Sequence, residues 1–203
     1  MRLYLVRHGE TQWNRSGKIQ GQVEIPLNAN GVKLALAARE GLKNIVFDAA
    51  FSSPLSRAYD TCKIILNDRQ VDIIKDARLL EIGFGVREGD SIAEAEENPN
   101  NALHDFFAHP SSYHAPETAE SFEHLFQRSN SFLQQVIFPL EGDAQNILIA
   151  SHSATIRSIL NPLSGLSLED FWKIDLPNCA VSVLELKNKS LSIIEESMYF
   201  GKN

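Results

Sequence analysis

An arginine and a histidine stand side by side where a predicted strand ends. Residues 2–6 form a short apolar run, Arg7 and His8 follow it directly, and Gly9 supplies a tight turn. Open α/β sheets bind their ligands at the carboxyl ends of the strands. A histidine in that position can act as a nucleophile, and a guanidinium group can hold phosphate oxygens through paired hydrogen bonds. The pair therefore predicts a phosphoryl-transfer site.

Three further segments carry residue types suited to the same chemistry. Each contains one group that can bind or protonate a phosphate ester: Arg57 in residues 52–58, Glu81 in residues 80–85 and His152 in residues 151–153. Together with residues 7–11, and in the same order along the chain, these segments resemble the motifs of the histidine phosphatase superfamily. The resemblance spans nearly the whole sequence. It implies a phosphoglycerate mutase-like fold and a phosphohistidine intermediate on His8.

The resemblance also implies a catalytic role for each of five residues. Phosphoryl transfer spreads negative charge over the equatorial oxygens, so it requires several fixed donors and a proton source for the leaving oxygen. We expect His8, held neutral by a hydrogen bond at one ring nitrogen, to attack phosphorus with the other. We expect Arg7 and Arg57 to bind the phosphoryl oxygens, and His152 would be a third cationic donor if it is protonated. Glu81 is expected to protonate the leaving alkoxide and then to accept a proton from the hydrolytic water.

Three polar residues are candidates for substrate binding. Asn14 and Gln20 match positions that contact phosphate in the superfamily, although an asparagine beside Trp13 also fits a simple turn cap. Ser153 stands where the superfamily commonly has glycine, and it can add a hydroxyl group to the phosphate-binding set. Arg87 stands where the superfamily commonly has tryptophan. These two departures concern the shape of the substrate pocket rather than the proposed nucleophile or acid.

Other interpretations of the same residues are weaker. An arginine at a helix start is often part of a surface ion pair, and a glutamate between apolar residues can also form a salt bridge. His8, His152 and Glu81 could together form a metal-ligand set. However, His8 and His152 lack the short spacing typical of such sites, and the two nearby arginines would repel a cation. We therefore expect chemistry that needs neither a metal nor another cofactor.

Composition limits the class of protein and its partners. The 203 residues, 43% of them hydrophobic, suffice for one α/β domain covering residues 1–203. Cys62 and Cys179 are far apart and have no Cys-x-x-Cys spacing, which argues against a disulfide scaffold. The net charge of −7 disfavours nucleic acid as a partner. We find no membrane span and no signal peptide, so we expect a cytoplasmic protein whose partner is a small phosphomonoester.

The pattern of apolar residues predicts alternating strands and helices. Strands are predicted at residues 2–6, 48–51, 71–74 and 146–150, and a hairpin is predicted from residues 180–186 and 191–194. Ser53 and Pro54 are predicted to begin a helix, with Ser53 as its N-cap. We also expect Val32 to lie on the buried face of the preceding helix. The fold prediction is a three-layer α/β/α domain with a mostly parallel sheet and an antiparallel edge strand.

Residues 83–116 show little periodicity, and we expect residues 83–128 to form a lid that determines substrate specificity. No lysine or arginine occurs from Glu88 through Gln127, whereas aromatic and acidic residues are frequent there. We therefore expect aromatic and acidic side chains to meet the body of the substrate. Such a pocket would favour monophosphates with neutral or cationic bodies over bisphosphates. The opposing possibility is that Arg87 turns into the pocket and supplies the missing charge.

Three classes of function fit the motifs. A mutase must hold a second anionic group, and the segment from Glu88 to Gln127 offers no basic residue for it. Residues 116–122, with Arg128, also resemble the helix start of the phosphatase branch. The sequence therefore favours a phosphomonoesterase that hydrolyses a small-molecule ester. The alternatives are a cofactor-dependent phosphoglycerate mutase and a non-catalytic phospholigand-binding protein, of which the second would be expected to have lost the nucleophile or the acid.

Overall fold

Six strands form one mixed sheet in a computed structural model of the protein, which describes residues 1–201. The strand order across the sheet is β3-β2-β4-β1-β5-β6. The strands are β1 (Arg2–Arg7), β2 (Ala49–Ser52), β3 (Ile73–Lys75), β4 (Asn146–Ser151), β5 (Val181–Lys187) and β6 (Ser190–Met198). All six predicted strands are therefore present, with boundaries shifted by a few residues.

The register of the sheet places the two histidines side by side. Strands β1, β2, β3 and β4 are parallel to one another, and β5 pairs antiparallel with both β1 and β6. Arg7, the last residue of β1, is paired with Ser151, the last residue of β4. His8 directly follows β1 and His152 directly follows β4, so both residues leave the sheet at the same edge. The predicted mixed sheet with an antiparallel edge is confirmed.

Helices pack on both faces of the sheet. They are α1 (Gln12–Arg15), α2 (Ala29–Gly41), α3 (Ser56–Leu66), α4 (Ile92–Glu97), α5 (His104–Ala108), α6 (Phe122–Phe132) and α7 (Ser153–Leu163). Because successive strand residues point to opposite faces, β1 contributes to two separate cores. Leu3 and Leu5 pack with α6 and α7, whereas Tyr4 and Val6 pack with α2 and α3. This arrangement is the predicted three-layer architecture.

A third core is rich in aromatic residues, and most of it lies in the segment that we expected to be irregular. Phe106 is at its centre and 1% exposed. Its ring centroid lies 4.9 to 5.2 Å from the rings of five neighbours: Phe84, Phe107, Tyr113, Phe122 and Trp172. Edge-to-face and stacked pairs of this kind stabilise a core beyond the area they bury. The segment is therefore held by its own packed core and contains the short helices α4 and α5.

Two local predictions were wrong. Helix α3 begins at Ser56, and its N-cap is Leu55 rather than Ser53. The Ser53 hydroxyl instead contacts a histidine from another strand, so a tertiary contact overrides the local capping signal. Val32 is 38% exposed, and the buried face of α2 is formed by Gly31, Ala35 and Ala38. Within residues 1–201, no helix has the length and apolar character that crossing a membrane requires.

Candidate active site

A pocket at the carboxyl ends of β1 and β4 brings the predicted site residues together. Seven of the eight line it: Arg7, His8, Asn14, Gln20, Arg57, Glu81 and Ser153. The eighth, His152, is fully buried beside the pocket, with its ring centroid 5.1 Å from that of His8. Residues from four distant parts of the chain thus surround one small volume.

The His8 ring is fixed in an orientation suited to nucleophilic attack. Its Nδ1 atom lies 2.7 Å from the carbonyl oxygen of Gly9, to which it donates. The proton is therefore on Nδ1, and Nε2 keeps its lone pair. Burial, reinforced by the nearby guanidinium groups of Arg57 and Arg7, holds the pKa of His8 well below its usual value. The ring is consequently neutral at neutral pH, as a nucleophile must be.

The turn after His8 requires a glycine. A Cβ atom on Gly9 would lie 2.6 Å from the carbonyl oxygen of Gly31, too close for any side chain. The Gly9 amide also donates to the hydroxyl of Thr61 at 2.9 Å. Thr61 lies on α3, the helix that carries Arg57. The nucleophile and the second arginine are therefore linked through this contact.

Two guanidinium groups, that of the fully buried Arg57 and that of the half-buried Arg7, are held by backbone carbonyls. Arg57 donates to the carbonyl oxygens of Val23 at 2.8 Å and Gly21 at 2.6 Å, and Arg7 donates to that of Leu176 at 2.6 Å. Burial lowers the pKa of Arg57 to about 10, so it stays charged at neutral pH. The Nε atoms of both arginines are buried without a hydrogen-bond partner among the described residues. Such unpaired donors are costly unless an anion satisfies them.

His152 is neutral rather than cationic in this structure. Burial, followed by the charges of Arg57, holds its pKa well below the usual value. Its Nε2 atom lies 2.8 Å from the Ser53 hydroxyl oxygen, and its Nδ1 atom is buried without a partner within residues 1–201. The expected third cation is therefore a neutral hydrogen-bond donor in the ligand-free protein. The physical reason is that burial disfavours a charged ring, and the two guanidinium groups already in the site add to this effect.

Glu81 places a carboxyl group in the pocket at the start of α7. Its Oε1 atom accepts hydrogen bonds from the backbone amides of Ile82 at 3.0 Å, Ala154 at 3.1 Å and Thr155 at 3.2 Å. Its Oε2 atom accepts a hydrogen bond only from the Ala154 amide, which it shares with Oε1, at 3.2 Å. The helix N-terminus thus fixes one oxygen and leaves the other available to exchange a proton.

A buried ion pair holds the segment that carries Glu81. Arg128 binds both carboxylate oxygens of Glu120, at 2.6 and 3.0 Å. It also donates to the carbonyl oxygens of Arg78 at 2.7 Å and Leu80 at 2.6 Å. Bidentate pairs of this kind are geometrically specific. The resemblance of residues 116–122 to the phosphatase branch therefore corresponds to a clamp next to the predicted acid.

Asn14 and Gln20 both line the pocket, and Asn14 also belongs to the capping box of α1. The Asn14 carbonyl oxygen accepts from the Thr11 amide at 3.1 Å, and that of Gln20 accepts from the Thr11 hydroxyl at 2.9 Å. The two side-chain NH₂ groups donate to no residue in the described part of the chain, so both remain available to an anion. The hydroxyl of Ser153 accepts a hydrogen bond from Arg157. The two interpretations of Asn14 are therefore compatible.

The sequence did not indicate two residues that the structure places at the site. Asn178 donates to the carbonyl oxygen of His8 at 3.0 Å, and the Cys179 amide donates to that of Arg7 at 3.1 Å. Cys179 has a φ of +61°, a left-handed conformation that is unfavourable for any residue except glycine. This turn fixes the backbone of the nucleophile from the other side of the sheet. Nothing in the local sequence around Asn178 signals that contact.

The wall of the pocket beyond the phosphate-binding groups differs from the expectation. It is apolar and aromatic, and Lys18 is its single cation within the described residues. The side chains of the wall are Lys18, Ile19, Ile82, Phe84, Ile92, Phe106, Phe107 and Trp172. Apart from Glu81, no acid of residues 1–201 lines the pocket, so the acidic part of that expectation was wrong. Helix α4 explains this, because it turns Ile92 inward and leaves Glu94 and Glu96 exposed. Arg87 lies outside the wall and pairs with Asp90 at 3.5 Å.

The donor set of the site suits an anion. In the described residues, no three histidine, cysteine or carboxylate side chains are grouped so that they could hold a metal ion. Two guanidinium groups, two free amides and the N-terminus of α7 instead converge beside His8. Helix N-termini and arginine forks both bind phosphate oxygens. The arrangement can therefore hold a phosphoryl group between a neutral histidine and a carboxyl group.

Comparison with known proteins agrees with this chemistry. The model of the histidine phosphatase superfamily (branch 1) matches residues 3–196. The putative phosphoserine phosphatase 2 of Hydrogenobacter thermophilus is 33% identical over 194 residues, which are 95% of this chain and 93% of that protein. A probable phosphoglycerate mutase of Escherichia coli is 34% identical over 185 residues, 90% of this chain and 83% of that protein.

A solved structure shows the same fold over the full length. The α-ribazole phosphatase of Shigella flexneri superposes with a TM-score of 0.86 at 27% identity, covering 100% of both chains. The relatives thus include proteins named for two different phosphatase substrates and one named as a mutase. The pocket of this chain has to distinguish among those activities.

Proposed function

Because this chain belongs to the histidine phosphatase superfamily, we propose that it is a phosphomonoesterase acting on small-molecule esters through a phosphohistidine on His8. The observation that carries the proposal is the neutral, oriented His8 ring between the guanidinium groups of Arg7 and Arg57, with the Glu81 carboxyl group in the same pocket. Each group needed for phosphoryl transfer is thus present in one cavity. A non-catalytic binding protein would not need a free nucleophile and an acid.

In the first step, Nε2 of His8 attacks phosphorus. A nitrogen–phosphorus bond forms, the bond from phosphorus to the ester oxygen breaks, and the Glu81 carboxyl group delivers its proton to the leaving alkoxide. Arg7 and Arg57 bind the equatorial oxygens as their charge develops. The amides of Asn14 and Gln20 and the Nδ1–H of His152 supply neutral donors, and the Ser153 hydroxyl lies beside them.

In the second step, water attacks the phosphohistidine. The Glu81 carboxylate accepts a proton from this water as its oxygen bonds to phosphorus, and the nitrogen–phosphorus bond breaks. The products are inorganic phosphate, neutral His8 and a protonated Glu81, so the site is regenerated. One carboxyl group acts first as acid and then as base.

The substrate class follows from the cavity. This open pocket has a volume of about 140 Å³, below the roughly 300–1,000 Å³ of pockets that hold drug-sized ligands. A body the size of an amino acid suits that volume better than a nucleoside does. The apolar wall contacts carbon atoms, and Lys18 offers one ammonium group to a carboxylate. We therefore favour a phosphoserine-sized ester over α-ribazole phosphate, in line with the name of the Hydrogenobacter relative.

Residues 83–128 are proposed to be the specificity segment of a single domain covering residues 1–203. The segment contributes Phe84, Ile92, Phe106 and Phe107 to the substrate wall. The protein is further proposed to be cytoplasmic, since both cysteines are unpaired thiols.

Hydrolysis of small phosphomonoesters is expected to persist in EDTA, and phosphoglycerate mutase activity is expected to be negligible beside it. Arg7 and Arg57 stabilise the charge of the phosphoryl group, as a metal ion would otherwise do, and Lys18 is the lone cation in the described wall for a second anionic group. A panel containing phosphoserine, α-ribazole phosphate and 2,3-bisphosphoglycerate, assayed with EDTA beside a mutase assay, checks both points. Loss of activity in EDTA that a divalent ion restores would overturn the mechanism, and efficient mutase turnover would overturn the phosphatase assignment.

Replacing Lys18 with alanine is expected to raise the KM for phosphoserine about two- to fivefold, as removal of an exposed ion pair does. The KM for p-nitrophenyl phosphate, which has no carboxylate, should not change. Lys33→Ala, on the exposed face of α2, is the matched control. An equal effect of Lys18→Ala on both substrates would contradict a carboxylate contact.

A further inference from the structure

A serine hydroxyl is buried against the second histidine. Ser53 follows the last residue of β2 and is 0% exposed. Its backbone amide donates to the carbonyl oxygen of Ala150 on β4 at 2.9 Å, which holds it next to the end of that strand. Its Oγ atom lies 2.8 Å from Nε2 of His152 and accepts a hydrogen bond from the Leu55 amide at 3.3 Å.

These contacts determine which nitrogen of His152 carries the proton. Since the Leu55 amide already donates to Oγ of Ser53, the hydroxyl proton is free to be donated, and Nε2 of His152 is the acceptor within reach. In the opposite arrangement, Nε2–H would donate to Oγ. The serine proton would then have no acceptor among the described residues, whereas Nδ1 has no partner within residues 1–201 in either arrangement. Buried polar groups are rarely left unsatisfied in this way.

We propose that Ser53 is a positioning residue, which keeps the proton of His152 on Nδ1 and so presents an N–H to the phosphoryl oxygens. The proposal rests on the proposed function, in which His152 contacts the phosphoryl group. It gives Ser53 a role through His152 and no contact with the substrate.

The charged and titratable neighbours of His152 make this tautomer important. Arg57 on α3, Arg7 at the end of β1 and Arg128 on α6 disfavour a charged His152, as does the nearby His8. A doubly protonated ring would donate from both nitrogens, and Ser53 would then be irrelevant. Because the ring is neutral, a single proton has to be placed, and the wrong tautomer would direct a lone pair toward the anion.

The tautomer is measured directly by ¹⁵N NMR of the imidazole of His152 in the free protein at pH 7.5. We expect Nδ1 to have the chemical shift of a protonated ring nitrogen and Nε2 that of an unprotonated one. In Ser53→Ala, this preference should be lost. A proton on Nε2 in the wild-type protein would overturn the inference whether or not the protein is a phosphatase. Absence of phosphatase turnover would overturn the proposed function separately.

Kinetics test the consequence for the reaction. Ser53→Ala is expected to lower kcat/KM at pH 8 by about 10- to 100-fold, the cost of one charge-assisted hydrogen bond. The deficit relative to wild type should shrink as the pH falls, because protonated His152 donates from Nδ1 without Ser53. A merely structural role would not give a pH-dependent ratio.

Two further variants make the kinetic test independent of folding. Ser53→Thr keeps the hydroxyl group and should retain most of the activity. Ser52→Ala removes an equally buried hydroxyl one residue away, which donates to the carbonyl oxygen of Ser53 and not to His152. It should keep the wild-type pH profile. Equal, pH-independent losses in Ser52→Ala and Ser53→Ala would overturn the positioning role.

Discussion

Replacing His8 with alanine is expected to reduce kcat by roughly 10⁴- to 10⁶-fold, as removal of a catalytic nucleophile does. The substitution removes the ring whose Nε2 forms the bond to phosphorus. The backbone contacts of residue 8 with Ser151 and Asn178 do not involve the ring, so the fold should persist. Turnover of p-nitrophenyl phosphate and circular dichroism measure the two effects. Acid-quenched labelling should yield a phosphoenzyme only in the wild-type protein.

The matched control is His109→Ala. His109 has an exposed side chain and lies outside the pocket wall, as do the other lid histidines, His104, His114 and His124. This variant should keep wild-type turnover and labelling. A labelled phosphoenzyme that survives in His8→Ala would show that another residue is the nucleophile.

Glu81→Gln is expected to lower kcat/KM for the hydrolysis of alkyl phosphate esters about 10²- to 10⁴-fold, the usual contribution of a general acid. The value of kcat/KM for p-nitrophenyl phosphate should fall far less, because its leaving group needs little protonation. Glutamine keeps the shape of the side chain and its contacts with the N-terminus of α7, so the change isolates proton transfer. Parallel measurement of kcat/KM for phosphoserine and p-nitrophenyl phosphate gives the comparison.

Glu88→Gln provides the control for this experiment. Glu88 is a nearby carboxylate that accepts from the amides of Gln22 at 2.8 Å and Phe84 at 3.1 Å, and it does not line the pocket. Any effect of Glu88→Gln on kcat/KM should not depend on the leaving group. If Glu81→Gln lowered kcat/KM equally for both substrates, Glu81 would not be the acid. Glu88 or Asp90 would then have to be tested in its place.

Much of the fold and most of the candidate site could be predicted because their signals are local. An apolar run followed by Arg7 and His8 identifies a strand end, and the order of four short motifs identifies the superfamily. The sheet and its antiparallel edge follow from periodicity along single segments. The contact of Ser53 with His152 could not be predicted in this way, because the residues next to Ser53 in the chain indicate only a helix cap.

The substrate wall was predicted less well for a similar reason. The acids of the segment are frequent in the sequence, but helix α4 directs Glu94 and Glu96 to solvent, while Lys18 and Trp172 enter the wall from far outside the segment. Composition averages over both faces of a helix. Only the packing of the aromatic core around Phe106 determines which face meets the substrate.

The sequence by itself therefore determined the residue types, their order and the strand ends that carry them, since these depend on near neighbours in the chain. The tertiary structure alone decided which nitrogen of His8 is free, that His152 is neutral, and that Ser53 and Asn178 hold the two histidine-bearing segments. Protonation and hydrogen bonding depend on burial and on the closest atoms in space. Those atoms come from segments that close packing brings together and that no local pattern pairs.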